Sequence, residues 1–443
     1  MTEDFALYLK ALEETERLPL PQLALYQEQL LERLVHHARD NAPFYRGRLA
    51  CLFDANGAVD LSRWNEVPIL ERTEVVSKGA EMRVASLPES YGQILEIHSS
   101  GTTGTPLRIA ANALVSISAN AMVMRIARWF RLDPSRPLAS IRVFKNIETT
   151  RYPEGRTGKG WSYSHPESAH FALHVMTPIE QQLEWLARRK APYLFTYPSN
   201  AMALADAVSP ERGRELGIEL VFAIAETVPD GARELVAERL GARLTGIYAC
   251  QEIGAIASEC DSAPHYHVAA ENALVEIVDE SGRDVAPGER GRVVITGLYN
   301  YAMPFIRYAV GDVAVAGTGP CTCGRSLPVI DRVEGRIRNA FVFRDGTRVW
   351  PRGWLAREMG AFVPFRQYQM VQLDHERIEF RYVPDGSGRQ PDLAGLSAYA
   401  RKMMHPSVEM IVVAMDALPR GPSGKFEDFI SLVPTTPTLP RTA

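Results

Sequence analysis

His98-Ser-Ser-Gly-Thr-Thr-Gly-Thr-Pro106 decides how the rest of this chain is read. Two strand-like runs, 93–98 and 107–110, flank it. Its glycines, serines and threonines can therefore wrap backbone N–H groups and hydroxyls around a phosphate. Glycine permits the close approach, and the hydroxyls add donors. It is not a Walker loop, because no Lys-Ser/Thr follows and Leu107-Arg-Ile-Ala110 continues as a strand rather than a helix. A bare loop of this composition is as readily a solvated hairpin turn, so the surrounding chain has to decide.

Before the loop, Leu23, Tyr26, Leu30, Leu31, Leu34 and Val35 recur at helical spacing until Ala42-Pro43 stops the pattern. After it the chain alternates. The spacing predicts helices over 180–189, 200–208 and 229–240, and extended segments over 193–196, 218–223 and 244–248. That alternation implies an α/β layer with parallel strands. From Ala273 the runs 273–278, 291–296 and 313–316, broken by glycine-rich turns, read as antiparallel β-structure. After Gly335-Arg336 the character changes again to a small α+β segment. It ends in a Pro/Thr-rich tail, 434–443, whose composition predicts disorder.

Length and composition bound the function. At 443 residues, with 46% hydrophobic and 23% charged side chains of both signs, the chain is expected to form two or three soluble globular units. A net charge of -4 with no long basic run argues against nucleic acid as a partner. The richest apolar run, 121–130, is interrupted by Arg125 and Arg128, so no membrane span is expected. Glu3 and Asp4 in place of a basic leader favour a cytoplasmic location. Five cysteines are too few and too odd in number for a disulfide framework, which leaves thiol or metal roles.

The string 99–106 resembles the phosphate-binding signature of the adenylate-forming superfamily, and further landmarks follow in order. His37-Ala-Arg-Asp-Asn-Ala-Pro-Phe-Tyr-Arg46, Val67-Pro-Ile-Leu-Glu-Arg72 and Tyr197-Pro-Ser199 are similar to segments of the phenylacetate-CoA ligase branch. The resemblance implies an α/β fold: a large N-terminal adenylate-forming domain (1–334) with parallel-sheet layers and a β-subdomain, and a small mobile α+β C-terminal domain (335–433). It also implies ATP-dependent activation of a carboxylic acid, aryl or arylacetic, to an acyl-AMP, followed by transfer to the thiol of coenzyme A. A carrier-protein phosphopantetheine is the alternative acceptor, a non-catalytic nucleotide binder with a zinc interaction module is the rival of another class, and a homodimer stays open.

Site residues follow from the same resemblance. Ser99, Ser100, Gly101, Thr102, Thr103 and Gly104 are expected to bind the ATP phosphates. In Tyr248-Ala-Cys-Gln-Glu252 the ring of Tyr248 is expected on the adenine and Glu252 on Mg²⁺, which suits a flat ring and a hard cation. Asp312, in Arg307-Tyr-Ala-Val-Gly-Asp312, is expected on the ribose hydroxyls, and Arg332 matches a basic position nearby. Lys425, in Leu418-Pro-Arg-Gly-Pro-Ser-Gly-Lys425, is the expected catalytic lysine, which offsets charge as the pentavalent phosphorus forms. The chain departs from the family pattern at Ala249, at Arg338-Asn339, and at Ile224-Ala225-Glu226, where Gly-Glu is usual.

Cys260, His267, Cys321 and Cys323 have the composition of a closed structural Zn²⁺ site, and the Cys-x-Cys knuckle is one the branch shares. His265 is the fallback ligand.

Overall fold

The computed structural model describes residues 2–98, 107–144, 146–162, 164–349, 358–418 and 426–433. The phosphate-loop residues Ser99, Ser100, Gly101, Thr102, Thr103 and Gly104, the lysine Lys425 and the tail 434–443 lie outside the described residues. The chain divides into two compact units. One comprises Met1–Arg136, Lys159–Ala169 and Thr245–Val333, and the other Pro137–Gly158, His170–Leu244 and Glu334–Ala443.

In the first unit the helix Leu20–Asn41 buries Leu23, Leu30, Leu31, Leu34, Val35 and Ala38, one apolar stripe at a period of 3.6 residues. Ala42 then turns extended ahead of Pro43, which cannot continue a helix. The stripe packs into a core shared with Ile256, Val293, Ile295, Phe305 and Tyr308. The strands run in the order Ala273–Val278, Arg290–Gly297, Tyr308–Ala316, Val329–Arg336, Tyr266–Val268, Gly254–Glu259, Arg243–Cys250. The predicted antiparallel run is present, with Ala273 opposite Gly297 and Ile277 opposite Val293. The segment expected to be extended at 244–248 is the strand Arg243–Cys250; on one edge it also pairs antiparallel with Gly254–Glu259, because Cys250 and Gly254 close a tight hairpin. A hairpin that short cannot make a parallel crossover.

The apolar run that the sequence shows at 121–130 belongs to the helix Ala113–Trp129, whose Arg125 is only 2% exposed. Two hydrogen bonds, of 2.6 and 3.1 Å, tie its guanidinium to Glu271, a third of 2.8 Å reaches the Leu12 carbonyl, and Glu16 stands beside it. Buried charge is tolerated because it is neutralised and hydrogen-bonded there.

In the second unit Leu220–Ile224, Tyr193–Thr196, Leu138–Arg142 and Ala169–His174 are neighbours in that order, all parallel. Their core is filled by the helices Ile179–Arg189, Pro198–Asp206 and Ala232–Leu240. This is the α/β alternation expected from the sequence. The C-terminal part has its own four-stranded sheet, ordered Glu409–Ala414, Arg377–Pro384, Phe365–Gln372, Phe429–Ser431, and a separate core of Phe341, Phe343, Met370, Phe380 and Leu396. Among the described residues no helix is long and apolar enough to cross a membrane.

Candidate functional site

Two irregularities in the first unit's strands bring separate segments together. In the strand pair Arg290–Gly297 and Tyr308–Ala316, Arg292 faces Val313 but Val294 faces Ala309, so Val310, Gly311 and Asp312 bulge out of the ladder. Gly311 has a φ of 83°, which a side chain would resist. A second register shift falls between Tyr248 and Ala249. Bulges re-aim side chains. Here they let the Tyr248 hydroxyl donate to Asp312 Oδ2 at 2.7 Å.

Glu252 sits in the hairpin turn just beyond and is 7% exposed. Its Oε1 accepts from the Tyr308 hydroxyl at 3.2 Å and stands 3.6 Å from the Arg72 guanidinium. Burial, then the charge of Glu252, raises the Tyr308 phenol above its ordinary range, so it stays a donor. Both of these contacts fall on Oε1. Arg72 and Tyr308 fall inside quoted motifs, but neither had been singled out as the partner of Glu252. Arg332 is exposed on the strand Val329–Arg336.

In the second unit the departure Ile224-Ala225-Glu226 is structurally distinctive. Ala225 has a φ of 66°, the left-handed region that glycine adopts freely. Glu226 Oε2 accepts the Ser199 N–H at 3.0 Å and Oε1 accepts the Phe426 N–H at 2.8 Å.

The metal-ligand candidates also converge. One ligand atom each from Cys260, His265, His267 and Cys321 lies within 4.8 Å of the others. The Cys260 and Cys321 sulfurs are 3.7 Å apart, the spacing of two thiolates held at about 2.3 Å from one tetrahedral ion. Cys323 Sγ, expected as the fourth ligand, is not one of those four atoms but lies 3.3 Å from His267 Nε2. Among the described residues His265 Nε2 is buried without a hydrogen-bond partner. Burial first, then His265, pushes the His267 imidazole down to about 4, the neutral form that ligates metal. Arg325 braces the cluster: it pairs with Asp261 at 2.7 Å and lies 4.1 Å over the Trp129 ring.

No family model matches the chain. Its fold is that of the adenylate-forming CoA ligases: 2-hydroxyisobutyryl-CoA ligase, solved in the postadenylation state with an R3-HIB-AMP ligand, superposes with a TM-score of 0.76 at 19% identity, covering 95% of this chain and 91% of that one. The same ligase with 2-HIB-AMP and CoA in the thioesterification state gives a TM-score of 0.61 at 18% identity over 95% and 92%. Among curated proteins the chain resembles phenylacetate-coenzyme A ligases. The Thermus thermophilus protein is 28% identical over 354 residues, 76% of this chain and 75% of the relative. The Escherichia coli protein is 25% identical over 353 residues, 77% of each.

Proposed function

We propose that the protein is an AMP-forming acid–CoA ligase: it joins a carboxylic acid, aryl or arylacetic, to the α-phosphate of ATP with release of pyrophosphate, then passes the acyl group to the thiol of coenzyme A. The single observation that carries this reading is the hydrogen bond between Tyr248 and Asp312, made by two bulges, with Glu252 in the adjoining turn. It gathers an aromatic face, a carboxylate suited to vicinal hydroxyls, and a second, buried acid. The comparisons support the reaction class: the curated relatives are named phenylacetate-coenzyme A ligases, and 2-hydroxyisobutyryl-CoA ligase is solved with its HIB-AMP and with CoA.

In this reading Tyr248 lies on the adenine and Asp312 holds the ribose, with Arg332 as a further basic contact. Ser99 to Gly104 take the phosphates. Glu252 would hold Mg²⁺, which supplies charge neutralisation at the departing pyrophosphate. Lys425 acts on the α-phosphate in the first step only. Cys260 and Cys321, with His267 and one of Cys323 or His265, would hold a structural Zn²⁺ that ties the Cys260 and Cys321 loops together.

The decisive test is Lys425→Ala. It should abolish ATP–pyrophosphate exchange with phenylacetate while sparing thioester formation from supplied phenylacetyl-AMP and coenzyme A. Normal exchange would remove Lys425 from the mechanism, and a thiol panel containing a carrier-protein phosphopantetheine settles the acceptor. Elemental analysis of protein prepared without chelator should find about one zinc per chain, as a four-ligand closed site requires. Absence of metal would reduce the cluster to packed cysteines.

A further inference from the structure

Strand order in the second unit parts the chain at two neighbouring strands. After Leu138–Arg142 it re-enters the sheet on one side, at Ala169–His174, whereas after Tyr193–Thr196 it goes to the other side, at Leu220–Ile224. Where connections diverge in this way, the carboxyl ends of the two parallel strands border a crevice that suits a ligand. The Tyr197 hydroxyl takes the Val143 N–H at 3.2 Å and ties those two ends together.

Arg142 is the last residue of its strand and stands half-buried at that place. Pleating sends Ile141 into the helix-packed core with Leu173, Leu194 and Val221, and puts Arg142 on the opposite face with Ser140 and Phe195. Its guanidinium lies 5.7 Å from the Phe195 ring centre and 5.1 Å from that of Phe144, and the Arg156 guanidinium lies 5.4 Å from the same Phe144 ring. Two cations therefore share one ring. Among the described residues neither arginine pairs with a carboxylate, and Arg142 Nε is buried without a hydrogen-bond partner.

The electrostatics are those of an unfilled position. Burial lowers the Arg142 pKa below its ordinary value; Tyr197 offsets this in part and Arg156 adds to it. Burial, then the charges of Arg142 and Arg156, push the His170 imidazole down to about 4, so this ring, 2.8 Å from Ser140 Oγ, is neutral and adds no third charge. The fully buried Arg125 has the Glu271 carboxylate at 2.6 Å, as a desolvated cation requires. Arg142 has the rings without the anion.

We propose that Arg142 and Arg156, with Phe144 and Phe195, form an oxyanion subsite at the carboxyl ends of these strands, which takes a carboxylate or a phosphate carried on an organic ligand. A planar guanidinium fork matches either group with two parallel hydrogen bonds, and the rings offer an apolar wall to the body that bears it. The group has two sources: a second carboxylate on an acid, or the phosphates of a coenzyme. Neither depends on the ligase reading, because binding is measured without turnover.

Calorimetric titration of the full chain and of Arg142→Met compares two matched pairs: homophthalate against phenylacetate, which lacks the extra carboxylate, and coenzyme A against pantetheine, which lacks the phosphates. Arg142→Met should weaken the more highly charged member of a pair by roughly 10- to 100-fold, the value of a charged hydrogen bond, and leave the other member as in the parent. Weakening of homophthalate assigns the subsite to an acid's second carboxylate, and weakening of coenzyme A assigns it to a phosphate. Arg156→Met, a change at an exposed position, should weaken the same ligand. The thermal midpoint of ligand-free Arg142→Met should match or exceed that of the parent, because a desolvated charge without a counterion is removed. Equal affinities of parent and both variants for all four compounds, or binding of none of them, overturn the subsite. So does equal weakening of both members of a pair, or a lowered midpoint in Arg142→Met with parental binding in Arg156→Met.

Discussion

Two arginine–carboxylate pairs in the first unit use the same chemistry to opposite ends. Arg125 and Glu271 meet at 2.6 Å with 2% and 0% of their side chains exposed. Arg72 and Glu252 stop at 3.6 Å, with 34% and 9% exposed. The first pair is enclosed: Leu12 and Thr15 hydrogen-bond to it and Glu16 stands 3.4 Å from the guanidinium. The second is looser, with the Tyr308 hydroxyl at 3.2 Å and the Arg72 guanidinium at 3.6 Å from Glu252 Oε1. A deeply buried network of charge holds elements in register, whereas a carboxylate desolvated beside a half-exposed cation is one a ligand can reach.

The largest effect should come from breaking the enclosed pair. Glu271→Ala leaves Arg125 as a buried charge without its main counterion, and is expected to cost about 3–5 kcal/mol of unfolding free energy in a denaturant titration. A cost under about 1 kcal/mol would mean that the network is not the anchor described. Next in size, Glu252→Ala should barely move the denaturation midpoint yet lower kcat for pyrophosphate release by roughly 10²- to 10³-fold, because charge builds on the phosphates as pyrophosphate leaves. If the two variants exchanged phenotypes, the division between structural and functional pairs would be reversed.

Local pattern made half of this legible. Leu23 to Val35 declared their helix through a 3.6-residue stripe, and Tyr193–Thr196 was bounded correctly because the helical runs and turns on either side left nothing else. Arg125 was visible in the sequence only as an interruption of an apolar run. Its partner Glu271 is 146 residues away, and no local periodicity encodes such a pairing. The bulges at Tyr248 and Val310–Asp312 were hidden for a related reason: a bulge is a property of two strands in register, not of either one. Resemblance supplied those residues where spacing could not. Glu226 was noticed as a departure from a pattern, but its contact with Phe426 is one that only the fold creates.

Asp312 sharpens the comparison most finely, since it is as buried as Glu252, each 7% exposed, yet should behave differently. Its Oδ2 already receives the Tyr248 hydroxyl, so the carboxylate is oriented before any ligand arrives. A ribose contact made there exists equally in the ground state and the transition state, and such uniform binding affects KM rather than kcat. Asp312→Ala should therefore raise the KM for ATP by about 10-fold, the value of one ordinary charged hydrogen bond, while kcat for pyrophosphate release changes less than about 2-fold. Steady-state kinetics across ATP and Mg²⁺ concentrations, run beside Glu252→Ala, make the contrast. The Mg²⁺ dependence should shift only in the Glu252 variant, because only that carboxylate is assigned to the cation. Equal losses in both parameters for the two variants would show that one of the carboxylates has been given the wrong partner.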